Sequence, residues 1–207
     1  AEKHRLFVIE DAAQGWGASY DSVKVGSLGN CGCFSFQSSK NLTSAEGGAI
    51  TTNNQDLAEL LESWTNCGRK KDGIWYAHYL PAGNNRITEF QTALLRAQLN
   101  EYPEALEIRQ NNAKYLDKRI KEIPGLTSIP FDEKEKSSVH FYIIKYQANH
   151  FDGLDREKWM EAVKAEGIFC HSGYSLPVYQ QPIFKEKNFF PGMREKLEKE
   201  YLVDYSQ

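Results

Sequence analysis

Lys40 and Asp11 carry the clearest chemical signal in this sequence. Lys40 lies in Phe34-Ser35-Phe36-Gln37-Ser38-Ser39-Lys40-Asn41, with aromatic and small residues before it and Glu46-Gly47-Gly48 after it. These surroundings read as the wall of a buried pocket. Burial lowers the proton affinity of a lysine and makes it a nucleophile, most often toward a carbonyl carbon. Asp11 comes earlier, directly after the strand-like run Leu6–Glu10, and Gln14 follows it. In open α/β sheets ligands collect at the carboxyl ends of strands, where both residues fall. Ser35, on the strand feeding Lys40, offers a hydroxyl to an anion. Taken singly, a lysine after a strand is most often on the surface and an aspartate there most often sits in a turn. The set, in this order, is what carries the signal.

These residues need strands to hold them. Leu6–Glu10 reads as a short buried strand. Residues 20–30 carry turn signals at Asp21-Ser22, Gly26 and Gly29-Asn30. Cys31–Phe36 alternates small and aromatic residues as a second strand, and Gly47–Thr52 reads as a third. Asn53-Asn54-Gln55-Asp56 resembles an N-cap cluster and opens a helix over Leu57–Glu62. Residues 66–85 form a long irregular loop with the basic run Arg69-Lys70-Lys71, and such loops are more often functional than idle. The run is by default a solvated face, with an anionic donor or a nucleotide diphosphate as its functional alternative.

Ile87, Phe90, Ala93, Leu94 and Ala97 recur at helical spacing. Pro103 is expected to interrupt or kink that helix, with a second helical stretch over Leu106–Ile123. His140–Tyr146 reads as a strand, Asp155–Glu166 as an amphipathic helix closed by Gly167, and Ile168–Cys170 as a further strand. Strands alternating with helices indicate an α/β chain with a smaller α+β unit at its end.

Composition narrows the function classes. The 207 residues are 41% apolar and carry a net charge of -3, which fits a globular protein and argues against a broad nucleic-acid footprint. No apolar run approaches the ~20 residues that cross a bilayer, and no signal peptide is evident. Cys31, Cys33, Cys67 and Cys170 lack the paired spacing of a zinc site. They read as free thiols of a reducing, cytoplasmic setting.

Among cofactors, pyridoxal phosphate asks for a lysine at its aldehyde, an acid at its ring nitrogen and donors for its phosphate. Lys40, Asp11 and Ser35 offer these. The segments VIEDAAQ, GCFSFQSSKNLTSAEGGAI and GNNRITEFQTALLRAQL, in this order, resemble signature stretches of the DegT/DnrJ/EryC1/StrS aminotransferases. These are pyridoxal-phosphate enzymes of fold type I that aminate keto sugars and keto cyclitols. The resemblance implies that Asp11 keeps the ring nitrogen protonated and that Gln14 lies against the ring and its phenolic oxygen. It implies that Ser35 binds phosphate and that Lys40 holds the aldehyde and moves the proton. Asn84 matches an asparagine that reaches the phosphate of a neighbouring subunit, which implies a homodimer with shared sites; the plainer reading of Asn84-Asn85 is a turn. His171 and Tyr174 are candidates to line a substrate pocket, and for His171 a packed or surface role is as good. Trp16 either shapes the pocket or joins the core.

The resemblance further implies glutamate or glutamine as amino donor, and residues 66–92 look most like the aminocyclitol branch. Related dehydratases that use pyridoxamine phosphate place histidine where Lys40 stands, so the lysine favours transamination. Relatives of this kind are longer. Residues 1–105 are accordingly expected to be the C-terminal part of a large cofactor-binding domain, and 106–207 a small domain incomplete at its end. The isolated chain is expected to bind cofactor poorly and to lack turnover. The rival expectation is a truncated, non-catalytic relative that keeps the fold and the dimer interface.

Overall fold

The computed structural model describes residues 1–129 and 132–186. The chain divides into two compact units, Ala1–Gln147 and Ala148–Gln207. The first unit holds strands β1 (Ile9–Asp11), β2 (Ser19–Tyr20), β3 (Val23–Lys24), β4 (Cys31–Ser35) and β5 (Gly48–Thr51). Helices α1 (Gln55–Thr65) and α2 (Glu89–Ile120) follow, then β6 (Leu126–Ser128), β7 (Glu135–Lys136) and β8 (Ile144–Tyr146). The second unit holds α3 (Arg156–Ala165) and the short α4 (Pro182–Lys185).

Three small sheets order the first unit, β1-β4-β5, β3-β2-β7 and β6-β8. In the first, β1 runs parallel to β4, with Asp11 opposite Cys33, and β5 runs antiparallel, with Gly48 opposite Ser35. Strand side chains alternate between faces. Ile9, Asp11, Cys33, Ser35 and Ile50 therefore share one face, and Glu10, Phe34 and Ala49 the other. The second face is packed. Trp16 lies against Phe34 and Phe36, with ring centroids 4.3 and 5.2 Å away. Phe36 and Leu42 meet Leu95 and Tyr102 of α2 in the core cluster, with Trp16, Ala49 and Leu106 packed around it. The first face is open: Ile9 is 63% and Ile50 46% exposed.

That openness corrects the buried strand expected over Leu6–Glu10. Only Ile9–Asp11 pairs, and Leu6 and Phe7 are exposed. β1 is an edge strand with β4 on one side only, so apolar residues spell a core strand that nothing among the described residues covers. The stretch read as turns also holds more order than expected. Its β2–β3 hairpin is only two residues per strand, too short to show a period of two.

α2 runs unbroken through Pro103, where an interruption was expected, and so crosses the 105/106 boundary. Its buried residues, Leu95, Tyr102, Ala113 and Ile120, stay in helical register on both sides of the proline. A proline costs about 3 kcal/mol in a helix interior. Burial of a side chain such as Leu95 contributes about 1.5–3 kcal/mol, so several buried contacts hold the helix through it. In the apolar stripe read at helical spacing, Phe90 and Leu94 are exposed, and the packed face is the neighbouring one through Leu95 and Tyr102.

 In α2 the residues at Leu95 and Tyr102 are seven apart and so lie along one side of the helix.

α2 opens with a capping box. Gln91 N–H donates to Thr88 Oγ1 at 3.3 Å, and Thr88 N–H donates to Gln91 Oε1 at 3.0 Å. α1 is capped by Asn54, whose Oδ1 accepts from Leu57 N–H at 2.9 Å, as the Asn-rich cluster led us to expect. The strand expected over His140–Tyr146 is confined to Ile144–Tyr146, which pairs with β6. His140 instead lies in a connecting segment held by side-chain hydrogen bonds. In the second unit, Asp155 caps α3 through Glu157 N–H, 2.8 Å away, and Met160 is its buried residue. Gly167 follows α3 with a φ of 87°. Ile168–Cys170 pairs with no strand among the described residues, because Phe169 and Ile168 are exposed there.

Candidate active site

The parallel pairing of β1 with β4 brings the sequence-predicted residues together. Asp11 ends β1 and Ser35 ends β4, on the same face and at the same end of the sheet. Adjacent strands are about 4.8 Å apart, so one planar ligand spans the two. Asp11 is exposed, and its Oδ1 accepts from Ala13 N–H at 3.2 Å, which turns the chain sharply after the strand. Gln14 is exposed a residue further along that turn. Ser35 is half-buried, and its Oγ accepts from Gln37 N–H at 3.2 Å while its own proton stays available. Lys40 is half-buried and closes a turn through its N–H to the Gln37 carbonyl at 2.9 Å.

The turn between Ser35 and Gly48 is stitched to α2. Gln91 Nε2 donates to the Glu46 carbonyl at 2.8 Å, and Gln98 Nε2 donates to the Thr43 carbonyl at 2.8 Å. Both glutamines sit on the side of α2 that carries Leu95 and Tyr102. Gly47 takes a φ of 127°, a conformation that only glycine adopts freely. Trp16 takes the core role read for it. Its ring joins the core, and its Nε1 donates to the Ser35 carbonyl at 3.2 Å.

The positive charge of Lys40 is felt at His140. Burial lowers the histidine's proton affinity, and Lys40 and Arg109 lower it further. Tyr102 is pushed the other way: burial raises its hydroxyl pKa, against the hydrogen bond from Asn41 and the charge of Arg109.

Glu10, immediately before Asp11, was not foreseen as part of this arrangement. Its Oε2 accepts from Gly26 N–H, and its Oε1 from Leu28 and Gly29 N–H, each at 2.7 Å. Burial works to raise its pKa, but the Gly26, Gly29 and Leu28 donors together outweigh it and hold the carboxyl below the ordinary glutamate value. The clamped loop presses on β4 so closely that a Cβ on Gly32 would sit 2.4 Å from Gly26 Cα. A depressed carboxylate pKa adds stability above the unfolded-state value, about 4.3, and that stability is lost as pH falls through the folded value. Glu10→Gln is therefore expected to cost about 1–2 kcal/mol at neutral pH, through donors left without a charged acceptor. It should also flatten the acid limb of the unfolding curve below about pH 4. Urea titrations from pH 3 to 7 measure both, and parallel acid limbs would refute the assignment.

Asn84 lies at the neck of the long loop. It bridges Asn66, and Cys67 N–H donates to the Gly83 carbonyl at 2.9 Å. Its side chain is exposed, and its Oδ1 accepts from Arg86 N–H at 3.4 Å, a local turn contact. Within the loop Arg69 stands over Tyr76 at 4.4 Å and Lys70 over Tyr79 at 4.9 Å, so two of the three basic residues are engaged with rings. His171 and Tyr174 belong to the second unit, in exposed irregular chain after α3. There Gly173 N–H donates to His171 Nδ1 at 3.0 Å, and Tyr174 is 89% exposed.

The first unit therefore sets Asp11 and Ser35 on one face and end of the sheet, with Gln14 and Lys40 in the turns that follow them; these groups suit pyridoxal phosphate: an acid for a ring nitrogen, a hydroxyl for phosphate and an amine for an aldehyde. Glu10, Gln91 and Gln98 escaped the sequence reading. Two glutamines seven apart beside an apolar pair are a detectable helical signal. No comparable signal marks Glu10 beyond its place next to Asp11.

The fold is that of the fold type I pyridoxal-phosphate proteins, with which the chain superposes closely. The sequence profile of the DegT/DnrJ/EryC1/StrS aminotransferase family matches residues 1–197, and the chain belongs to that family. The chain is 34% identical over 209 residues to the L-glutamine:2-deoxy-scyllo-inosose aminotransferase of Streptomyces lividus, covering 95% of this chain and 47% of that protein. It is 30% identical over 186 residues to a UDP-4-amino-4,6-dideoxy-N-acetyl-beta-L-altrosamine transaminase of Helicobacter pylori, covering 89% and 49%. Among solved structures, a DegT DnrJ EryC1 StrS aminotransferase from Brucella abortus superposes with a TM-score of 0.80 at 28% identity, over 89% of this chain and 47% of that one. The chain thus spans about half the length of the curated relatives it matches. The family's cofactor is pyridoxal phosphate. No described helix is long and apolar enough to cross a membrane.

Proposed function

We propose that the protein takes part in a pyridoxal-phosphate-dependent transamination, moving an amino group from glutamine or glutamate to a keto cyclitol or a nucleotide-linked keto sugar. The observation that carries this reading is the shared face and shared end of Asp11 and Ser35, with Lys40 in the turn beyond. Pyridoxal phosphate, when bound, supplies an electron sink through which an amino group leaves one carbon and joins another. In this reading Lys40 would hold the aldehyde end and move the proton between carbons. Asp11 would keep a proton on the ring nitrogen, Gln14 would lie against the ring, and Ser35 would donate to the phosphate. Asn84 would reach the phosphate of a second copy, and His171 and Tyr174 would contact substrate.

The similarity to scyllo-inosose aminotransferases supports the keto cyclitol as the first candidate. A homodimer is supported by large apolar side chains in the open, among them Phe90 at 91%, Trp75 at 89% and Ile74 at 78% exposed. Four free cysteines support a cytoplasmic setting. The isolated chain is expected to turn over poorly, since Ser35 is the one hydroxyl assigned to a phosphate dianion that takes several donors.

The test is glutamine-dependent amination of 2-deoxy-scyllo-inosose and of a nucleotide-linked 4-keto sugar. It is run with the chain alone and with the chain joined to the first half of a full-length relative. Amination by the joined protein, with little by the chain alone, is the expected result. Absence of amination and of any cofactor-linked absorbance in both would end the reading.

A further inference from the structure

Beyond the last ladder pair, Asp11 with Cys33, strands β1 and β4 diverge into separate turns, one bearing Gln14 and the other Lys40. Near the sheet the turns stay tied. Ala12 N–H donates to the Cys33 carbonyl at 2.9 Å and Trp16 Nε1 to the Ser35 carbonyl. Further out, the link comes from a distant part of the chain. Ser138 is buried, at 6% exposure, and its Oγ donates to the Gln14 carbonyl. Its own carbonyl accepts from Asn41 Nδ2 at 2.8 Å, and Asn41 is the residue next to Lys40. A single residue therefore bonds to both turns at once.

The segment around Ser138 is itself held in place. Gln110 Nε2 of α2 donates to the Ser137 carbonyl at 2.9 Å, and Val139 N–H donates to Ser137 Oγ at 3.0 Å. His140 Nδ1 lies 3.4 Å from Asn41 Oδ1. Between them Val139 takes a φ of 49°, a left-handed conformation that β-branched residues rarely adopt. Strain of this kind persists where surrounding contacts over-determine the backbone, and it concentrates at functional sites.

We propose that Ser138 is a positioning residue that latches the Gln14 turn to the Lys40–Asn41 turn, keeping the two sides of the cofactor-facing surface in one registry. The proposal rests on the transamination reading for what the surface faces. The latch itself is a property of this chain without any ligand. Its two bonds reach across 124 and 97 residues of sequence, so the registry depends on the whole first unit being folded.

Ser138→Ala removes the hydroxyl, and Ser138→Thr keeps it. Three measurements read the outcome, the first two on the 207-residue chain and the third on that chain joined to the first half of a full-length relative. The first is cofactor-free amide hydrogen exchange. Ser138→Ala is expected to speed exchange about tenfold in both turns, at Gln14–Trp16 and at Lys40–Leu42, a factor that corresponds to about 1.4 kcal/mol of local opening. The second is the NMR titration of His140, which faces Lys40 and Arg109. Its midpoint is expected to rise in Ser138→Ala as the ring gains solvent. The third is borohydride-trapped labelling of Lys40 by pyridoxal phosphate, which should slow. Ser138→Thr should restore all three.

Faster exchange confined to residues 137–140, an unmoved His140 midpoint, or failure of Ser138→Thr to restore the turns would overturn the proposal. If Lys40 is labelled and the labelling is indifferent to Ser138→Ala, the positioning role falls and the functional reading stands. If both turns loosen together while Lys40 is never labelled in the unaltered joined protein, the latch stands and the functional reading falls.

Discussion

Replacing Lys40 with alanine is expected to abolish both the visible absorbance that pyridoxal phosphate produces with the protein and its borohydride-stable incorporation. In the joined, active form it should also lower amination by well over the ~10²–10⁴-fold that loss of a proton-moving side chain alone costs, because the same amine is the covalent anchor. The structure supplies a control. Lys40→Arg keeps a positive charge in place, but a guanidinium does not act as a nucleophile under these conditions. It should therefore match Lys40→Ala in absorbance and turnover.

The two variants should part at His140. Burial is the first cause of that histidine's lowered pKa, with Lys40 and Arg109 adding to it. Removing the charge in Lys40→Ala should raise the titration midpoint toward, though not up to, the ordinary histidine value, while Lys40→Arg should leave it near its starting point. Proton NMR of the imidazole resonances measures this. Retained absorbance in either variant would remove Lys40 from its assigned role.

The second large effect is expected at Asp11. Asp11→Asn preserves a side-chain oxygen to accept from Ala13 N–H, so the turn after β1 should survive. What it removes is the negative charge on the face shared with Ser35. Loss of one preorganised electrostatic contact typically costs about 10²–10³-fold in rate, and a loss of that order is expected in amination by the joined protein. Thermal unfolding and the exchange rates of the Gln14 turn should change little. The comparison of rate with stability decides the matter: a large fall in unfolding midpoint would make Asp11 a structural residue, and a small fall in rate would remove it from the chemistry.

Short-range chemistry was legible in the sequence wherever it was local. The Asn54 cap of α1 and the β4 strand both follow from side chains within a few residues of the backbone they act on. Periodicity was less dependable. Phe90 and Leu94 mark an apolar stripe as clearly as any in the chain, yet the packed side of α2 is the one with Leu95 and Tyr102. A hydrophobic period shows that a face is apolar and leaves open which partner covers it. Pro103 misled for a related reason, since its local penalty is offset by contacts formed elsewhere along α2.

From residue types and order, the amine, the acid and the hydroxyl could be named as candidates, because each must bring a particular functional group and strands must deliver them in turn. The shared face and end of Asp11 and Ser35 required the register of β1 on β4, a tertiary fact. The clamp of Glu10 on the 26–29 loop, the stitching of the lysine turn by Gln91 and Gln98, and the bridge through Ser138 were likewise decided only by the folded chain. Hydrogen bonds between residues as far apart as Gln14 and Ser138 have no local energetic trace, so no pattern in the sequence encodes them visibly.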